Sequence, residues 1–270
     1  MRKSISTLTL ACLVTASALA SSDRERETLV RYRQAQMEFR EGNVAVIGPL
    51  INSLESAVGR SPHNADLWEA LGNACMSKLG VSYDSSTGPA ALIALAERAR
   101  SAYARALSIE KDNALLLASL GMAEMALSGL KQDGPGMMKS VENMNAAIVM
   151  APNSTAVRLT RGFMIVGLPV GMRDTAAVKE DLTFLLGVAP GGRPEDVLHV
   201  LLGDVYAETG ALDDARREYE QVTGASRFAS EQARSRLDEL KKGAVSPASV
   251  GAVRANLGRC VMCHAPGTDN

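Results

Sequence analysis

Three residues near the end of the 270-residue chain have the types and spacing to do chemistry: Cys260, Cys263 and His264, in the run Cys260-Val261-Met262-Cys263-His264. Two thiols three positions apart can add across the two vinyl groups on one edge of a haem, and the next residue then offers an imidazole to the iron. On that reading Cys260 and Cys263 are thioethers and His264 is the axial ligand of one covalent haem c. The same three groups also suit two other roles. They could be three ligands of a small zinc site, or the cysteines could form a disulfide or a reactive dithiol while the histidine stays free.

Export bears on the choice, because haem is attached to such motifs outside the bacterial cytoplasm. Arg2 and Lys3 form a positive start, Ile5 to Leu19 carries no charge, and Ala18-Leu19-Ala20 is a small-x-small cleavage signal before Ser21. Residues 1–20 therefore read as a signal peptide cleaved after Ala20, which places the mature protein in the periplasm. No later stretch is expected to cross a bilayer. Cleavage removes two positive charges, so the formal net charge moves from -1 to about -3, with no basic footprint for nucleic acid. It also removes Cys12, leaving Cys75, Cys260 and Cys263. An odd count suits an oxidising compartment if haem takes two thiols and Cys75 is a buried, small apolar residue.

The long middle of the chain repeats itself. Leu67-Trp68-Glu69-Ala70-Leu71-Gly72 has counterparts in Leu116-Leu117-Ala118-Ser119-Leu120-Gly121 and Leu198-His199-Val200-Leu201-Leu202-Gly203, and a looser one in Arg158-Leu159-Thr160-Arg161-Gly162-Phe163. Each is followed by small and large residues at helical spacing: Ala99, Tyr103 and Ala106; Ser140, Met144 and Ala147; Val178, Leu182 and Leu185; Ala215, Tyr219 and Val222. Turn signals follow at Ala151-Pro152-Asn153 and Ala189-Pro190-Gly191. Periods of this size mark stacked helical hairpins.

The order of these residues resembles the tetratricopeptide repeat (TPR) family. The copy from Leu198 to Val222 is nearly a full match, with Gly203, Tyr206, Gly210, Ala215 and Tyr219 in place. The resemblance covers residues 24–241. It implies an all-α, TPR-like superhelix of four to five helix pairs with a capping helix, filling residues 21–242, followed by a hinge and haem-attachment tail at 243–270. Expected helices are 24–40, 46–59, 64–78, 89–109, 113–127, 135–150, 154–167, 173–187, 194–208, 211–223 and 227–241. A short helix over 247–257 is expected in the tail. The glycines should let paired helices approach closely, with Tyr103, Met144, Leu182 and Tyr219 filling the space between repeats.

The resemblance also implies a concave face for a protein or peptide partner. Its rows would hold Asp66, Glu69, Asn73 and Met76; then Leu115, Ala118, Met122 and Met125; then Leu159, Phe163 and Val166; then Val200 and Asp204. The ends of such a groove would be acidic and its middle apolar. The central methionines, His63 and His199 read as packing or solvated residues rather than ligands.

The tail differs from small class I cytochromes c, which place C-x-x-C-H near their start. It is closer to class II cytochromes c in carrying the motif on a late stretch. No paired carboxylates, nucleophile constellation or phosphate loop stands out, so the expectation is a binding or electron-transfer protein rather than an enzyme. In full, it is an exported TPR scaffold with one haem c that docks on a redox partner and passes single electrons. The alternative is a non-redox scaffold or assembly factor whose cysteine pair is structural or thiol-active.

Overall fold

The computed structural model describes residues 5–40, 42–83, 87–168, 170–189 and 191–243, with side chains in the first helix from Ser22 onward. Among these residues there are eleven α-helices and no strand: α1 (Ile5–Arg40), α2 (Ile47–Arg60), α3 (Ala65–Ser82), α4 (Pro89–Ile109), α5 (Ala114–Lys131), α6 (Gly134–Met150), α7 (Thr155–Val166), α8 (Thr175–Val188), α9 (Arg193–Glu208), α10 (Leu212–Glu220) and α11 (Arg227–Lys241). Single 3-10 turns at Val44–Val46 and Val170–Met172 complete the order. The sequence marks most of the starts. Asn64, Asp133, Ser154, Asp174 and Ser226 each cap a helix by accepting a backbone N–H with the side chain. Pro89, Pro135 and Pro194 stand in first turns, where a missing N–H costs nothing.

The helices form two compact units that divide between Leu116 and Leu117. In the first, the α1 stripe Thr28, Tyr32, Gln36 and Phe39 is buried, and α2 and α3 pack beside it. The α3–α4 hairpin closes on Gly72. A Cβ built there would lie 2.6 Å from Tyr103 Cε1, so any larger residue would push the tyrosine out. Tyr103 is fully buried, and its hydroxyl donates to Asn73 Oδ1 at 2.6 Å.

The second unit repeats this device with different partners. Gly121 faces Met144 between α5 and α6, and Gly203 faces the Tyr219 ring between α9 and α10. Between α7 and α8, Gly162 faces Asp181, with a built Cβ 3.3 Å from the Asp181 Cβ. Leu182 is buried in the apolar core, as expected of a residue between repeats, with Val178, Leu185, Leu201, Val205 and Tyr219.

Three further features depart from expectation. α1 continues without a break from Ile5, through Ala20, into the segment expected from residue 24. α5 runs on to Lys131, which shortens its connection to α6 to Gln132 and Asp133. And α5 is the one described helix long and apolar enough to cross a membrane by length and composition, with a mean hydropathy of 1.3 over 18 residues. Half of that stretch is buried inside the protein, as in a core helix.

The α5–α6 turn has a local cause. Asp133 N–H donates to Ser128 O at 2.8 Å and Gln132 N–H to Gly129 O at 3.2 Å, which puts Gln132 in the left-handed region at φ 55°. The α9–α10 turn makes the same pair of bonds, Ala211 N–H to Tyr206 O and Gly210 N–H to Ala207 O, but with glycine at φ 78°. A glutamine in that position strains its Cβ against the following carbonyl. Gln132→Gly should therefore stabilise the protein by roughly 0.5–1 kcal/mol and Gly210→Ala destabilise it by about 1 kcal/mol. Both would be read as opposite shifts of the urea midpoint at unchanged slope.

Candidate functional site

Cys260, Cys263, His264 and the expected 247–257 helix lie outside the described residues. The one cysteine whose surroundings are described is Cys75 on α3, which is free and fully buried. Burial pushes its thiol up to about 11, with Arg98 opposing and Glu55 reinforcing. Such a thiol stays protonated at neutral pH and acts as an apolar packing group.

In the first unit, Asp66 is exposed, Glu69 and Leu115 are half-buried, and Asn73 and Met76 are buried. Asn73 already serves as the acceptor for Tyr103. Asp66, His63 and Glu110 border an open cleft of about 550 Å³ at the α2–α3 turn, together with Arg60 and Ile109. Glu69 feels this acidic neighbourhood. Burial, then the charges of Asp66 and Glu110, push its carboxyl up to about 7, against a hydrogen bond from Asn73 that favours the ionised form.

In the second unit, Ala118, Met122, Met125, Val166 and Val200 are buried, while Leu159 and Phe163 keep partial exposure. Asp204 is not a surface acid. It is 2% exposed and takes the Tyr219 hydroxyl at 2.9 Å and Arg236 Nε at 2.5 Å, the arginine coming from α11. Glu208, one turn further along α9, is paired with Arg173 from the α7–α8 loop. The acid expected at this end of the array, Asp204, and its neighbour Glu208 thus face the chain's own arginines. His199, also on α9, has Nδ1 2.8 Å from Glu218 Oε2, so it packs between helices as anticipated.

A second buried charge cluster was not anticipated. Asp181, fully buried on α8, accepts from Arg161 Nε at 2.6 Å, Arg161 Nη2 at 2.8 Å and Arg158 Nη1 at 2.9 Å. Arg161 also donates to Asn145 on α6, and Arg158 lies over the Phe184 ring at 4.6 Å. The available signal was the spacing of the two arginines: residues three apart share one helix face, and that face of α7 must meet α8. Asp196 is likewise internal, accepting from Thr223 and Ser226 to fasten the α10–α11 loop. Among the described residues no group of three or more histidine, cysteine or acidic side chains is placed to hold a metal ion.

No protein-family model matches the chain. Comparison with curated proteins also gives no match. Among solved structures, the chain is similar to the crystal structure of a thermophilic TPR protein of Thermus thermophilus, at 14% identity and a TM-score of 0.55, covering 81% of this chain and 99% of that one. The fold is therefore a TPR-like helical repeat.

Two outcomes follow for the charged positions. Asp204→Ala removes the buried carboxylate that Arg236 and the Tyr219 hydroxyl share, and should cost about 3–5 kcal/mol in denaturant unfolding. At Glu69 the folded carboxyl titrates near 7 and the unfolded one near its ordinary 4.5, so the folded state holds the extra proton between these values. Stability must then fall as pH rises from about 4.5 to 7. Glu69→Gln should remove that fall and leave the variant more stable at pH 8 by on the order of 1–2 kcal/mol, with little gain at pH 4.5. Melting curves across that range check it.

Proposed function

We propose that the protein is an exported helical-repeat scaffold that binds a protein partner and carries one covalent haem c at Cys260 and Cys263, with His264 as axial ligand, to pass single electrons. The observation that carries the reading is the C-x-x-C-H run itself. Two others support it. The uncharged stretch after Arg2 and Lys3, ending in Ala18-Leu19-Ala20, suits delivery to the periplasm, where such motifs receive haem. Cys75, buried and protonated, is withdrawn from the thiol count, which leaves Cys260 and Cys263 as a pair.

Haem bound there would supply a one-electron couple. The rest of the chain does the binding and positioning. TPR-like hairpins present successive helix faces to a partner, and the residues with surface to offer are Asp66, Glu69 and Leu115 in the first unit and Leu159 and Phe163 in the second. The hinge expected at Lys242 to Pro247, with Gly243, Ser246 and Pro247, would hold the motif close to a docked partner and raise its effective concentration there. The non-redox scaffold remains the competing reading, with the same repeats and a cysteine pair that carries no cofactor.

Protein made in a strain competent for cytochrome c maturation should show haem absorption that survives acidic organic extraction and sharpens on reduction. Colourless protein from that strain would contradict the haem reading and leave the scaffold.

A further inference from the structure

The helix that crosses Ala20 contains a start signal in its middle. Ser22, exposed and midway along the 36-residue α1, is followed by Asp23 and, three residues on, by Glu25. Ser-x-x-Glu is the sequence of a helix N-cap, and Ser and Asp are poor residues for a helix interior because their side chains compete for nearby backbone groups. In the uninterrupted helix this signal has nothing to cap.

The attachments of α1 to its unit start at the same place. Glu25 accepts from Ser61 Oγ at 2.5 Å and from Asn64 Nδ2 at 2.8 Å, both at the α2–α3 turn. The buried stripe begins one turn later, at Thr28, and continues through Tyr32, Gln36 and Phe39.

We infer that Ser22 is the N-cap of α1 in the processed protein, its capping signal becoming functional when the Ala20–Ser21 bond is cut. This rests on the export reading. Cutting is a hydrolysis by a leader peptidase: water gives its hydroxyl to the Ala20 carboxylate and its hydrogen to the Ser21 amine. With Ala20 gone Ser21 leaves the helix, its carbonyl gives up the Glu25 N–H, and Ser22 Oγ accepts that N–H in its place. Asp23 sits in the first turn, where a negative charge is favoured. The Glu25 carboxylate stays on Ser61 and Asn64, so the hydroxyl supplies the cap alone. Processing thus leaves a helix that begins where its attachments begin.

The test uses full-length protein produced in exporting cells, with intact mass measured before thermal melting of wild type, Ser22→Ala, Ser22→Asp and Ser21→Ala. The expected result is a chain starting at Ser21, with Ser22→Ala lowering the melting temperature by about 2–4 °C and the other two variants close to wild type. A chain starting at Ser21 whose melting temperature is unchanged or raised by Ser22→Ala overturns the capping inference and leaves export standing. Cleavage elsewhere in an exported protein does the same. An unprocessed chain overturns both.

Discussion

The hairpins of this protein depend on one position where a helix carries no side chain. Gly72, Gly121 and Gly203 each face a large residue of the following helix, too close for a Cβ to be added without displacement, and Gly162 faces Asp181 in the same way with slightly more room. Much else follows from that approach. Burying Tyr103 and Tyr219 against glycine takes two phenol hydroxyls out of water, and a buried hydroxyl requires an acceptor. Asn73 supplies one and Asp204 the other. Asn73 is neutral and the matter ends there. Asp204 is charged, so its burial requires a cation, and Arg236 of α11 provides it. A glycine in α9 thereby determines a residue in the last described helix.

The same logic limits the surface through which the protein can act. Asn73 and Asp204 stand at positions that the resemblance assigns to the concave face, yet here both are spent internally. On the proposed reading, partner contact would fall to the half-exposed apolar residues Leu159 and Phe163 and, in the first unit, to Asp66, Glu69 and Leu115. Glu69 adds a sensitivity of its own, since its burial, with the charges of Asp66 and Glu110 beside it, makes its proton a matter of ambient pH.

The helices were legible in the sequence because their periodicity and caps agree: α4, α6 and α11 lie within a residue of their expected bounds. The turn after α5 was not, because its glycine is replaced by Gln132, and a left-handed glutamine leaves no trace in a pattern that looks for Gly. Asp181 was missed for a related reason. Its neighbour Leu182 fits an apolar register, and only the folded chain shows the acid turned toward Gly162 and two arginines. The acidic end of the array was read from residue type alone, which does not reveal that Arg173 and Arg236 come from elements distant in sequence to cover it. For the haem motif the position is reversed: the spacing of Cys260, Cys263 and His264 in the sequence is what carries the proposal.

The most direct test of that case is the mass of the terminal tryptic fragment. Arg259 is the last basic residue before the motif, so cleavage there releases Cys260 to Asn270 as one peptide. From protein matured in a cytochrome-competent strain, the account predicts this peptide heavier by one haem, with neither cysteine open to alkylation. The same peptide at its bare mass, with two alkylatable thiols or an internal disulfide, would contradict it.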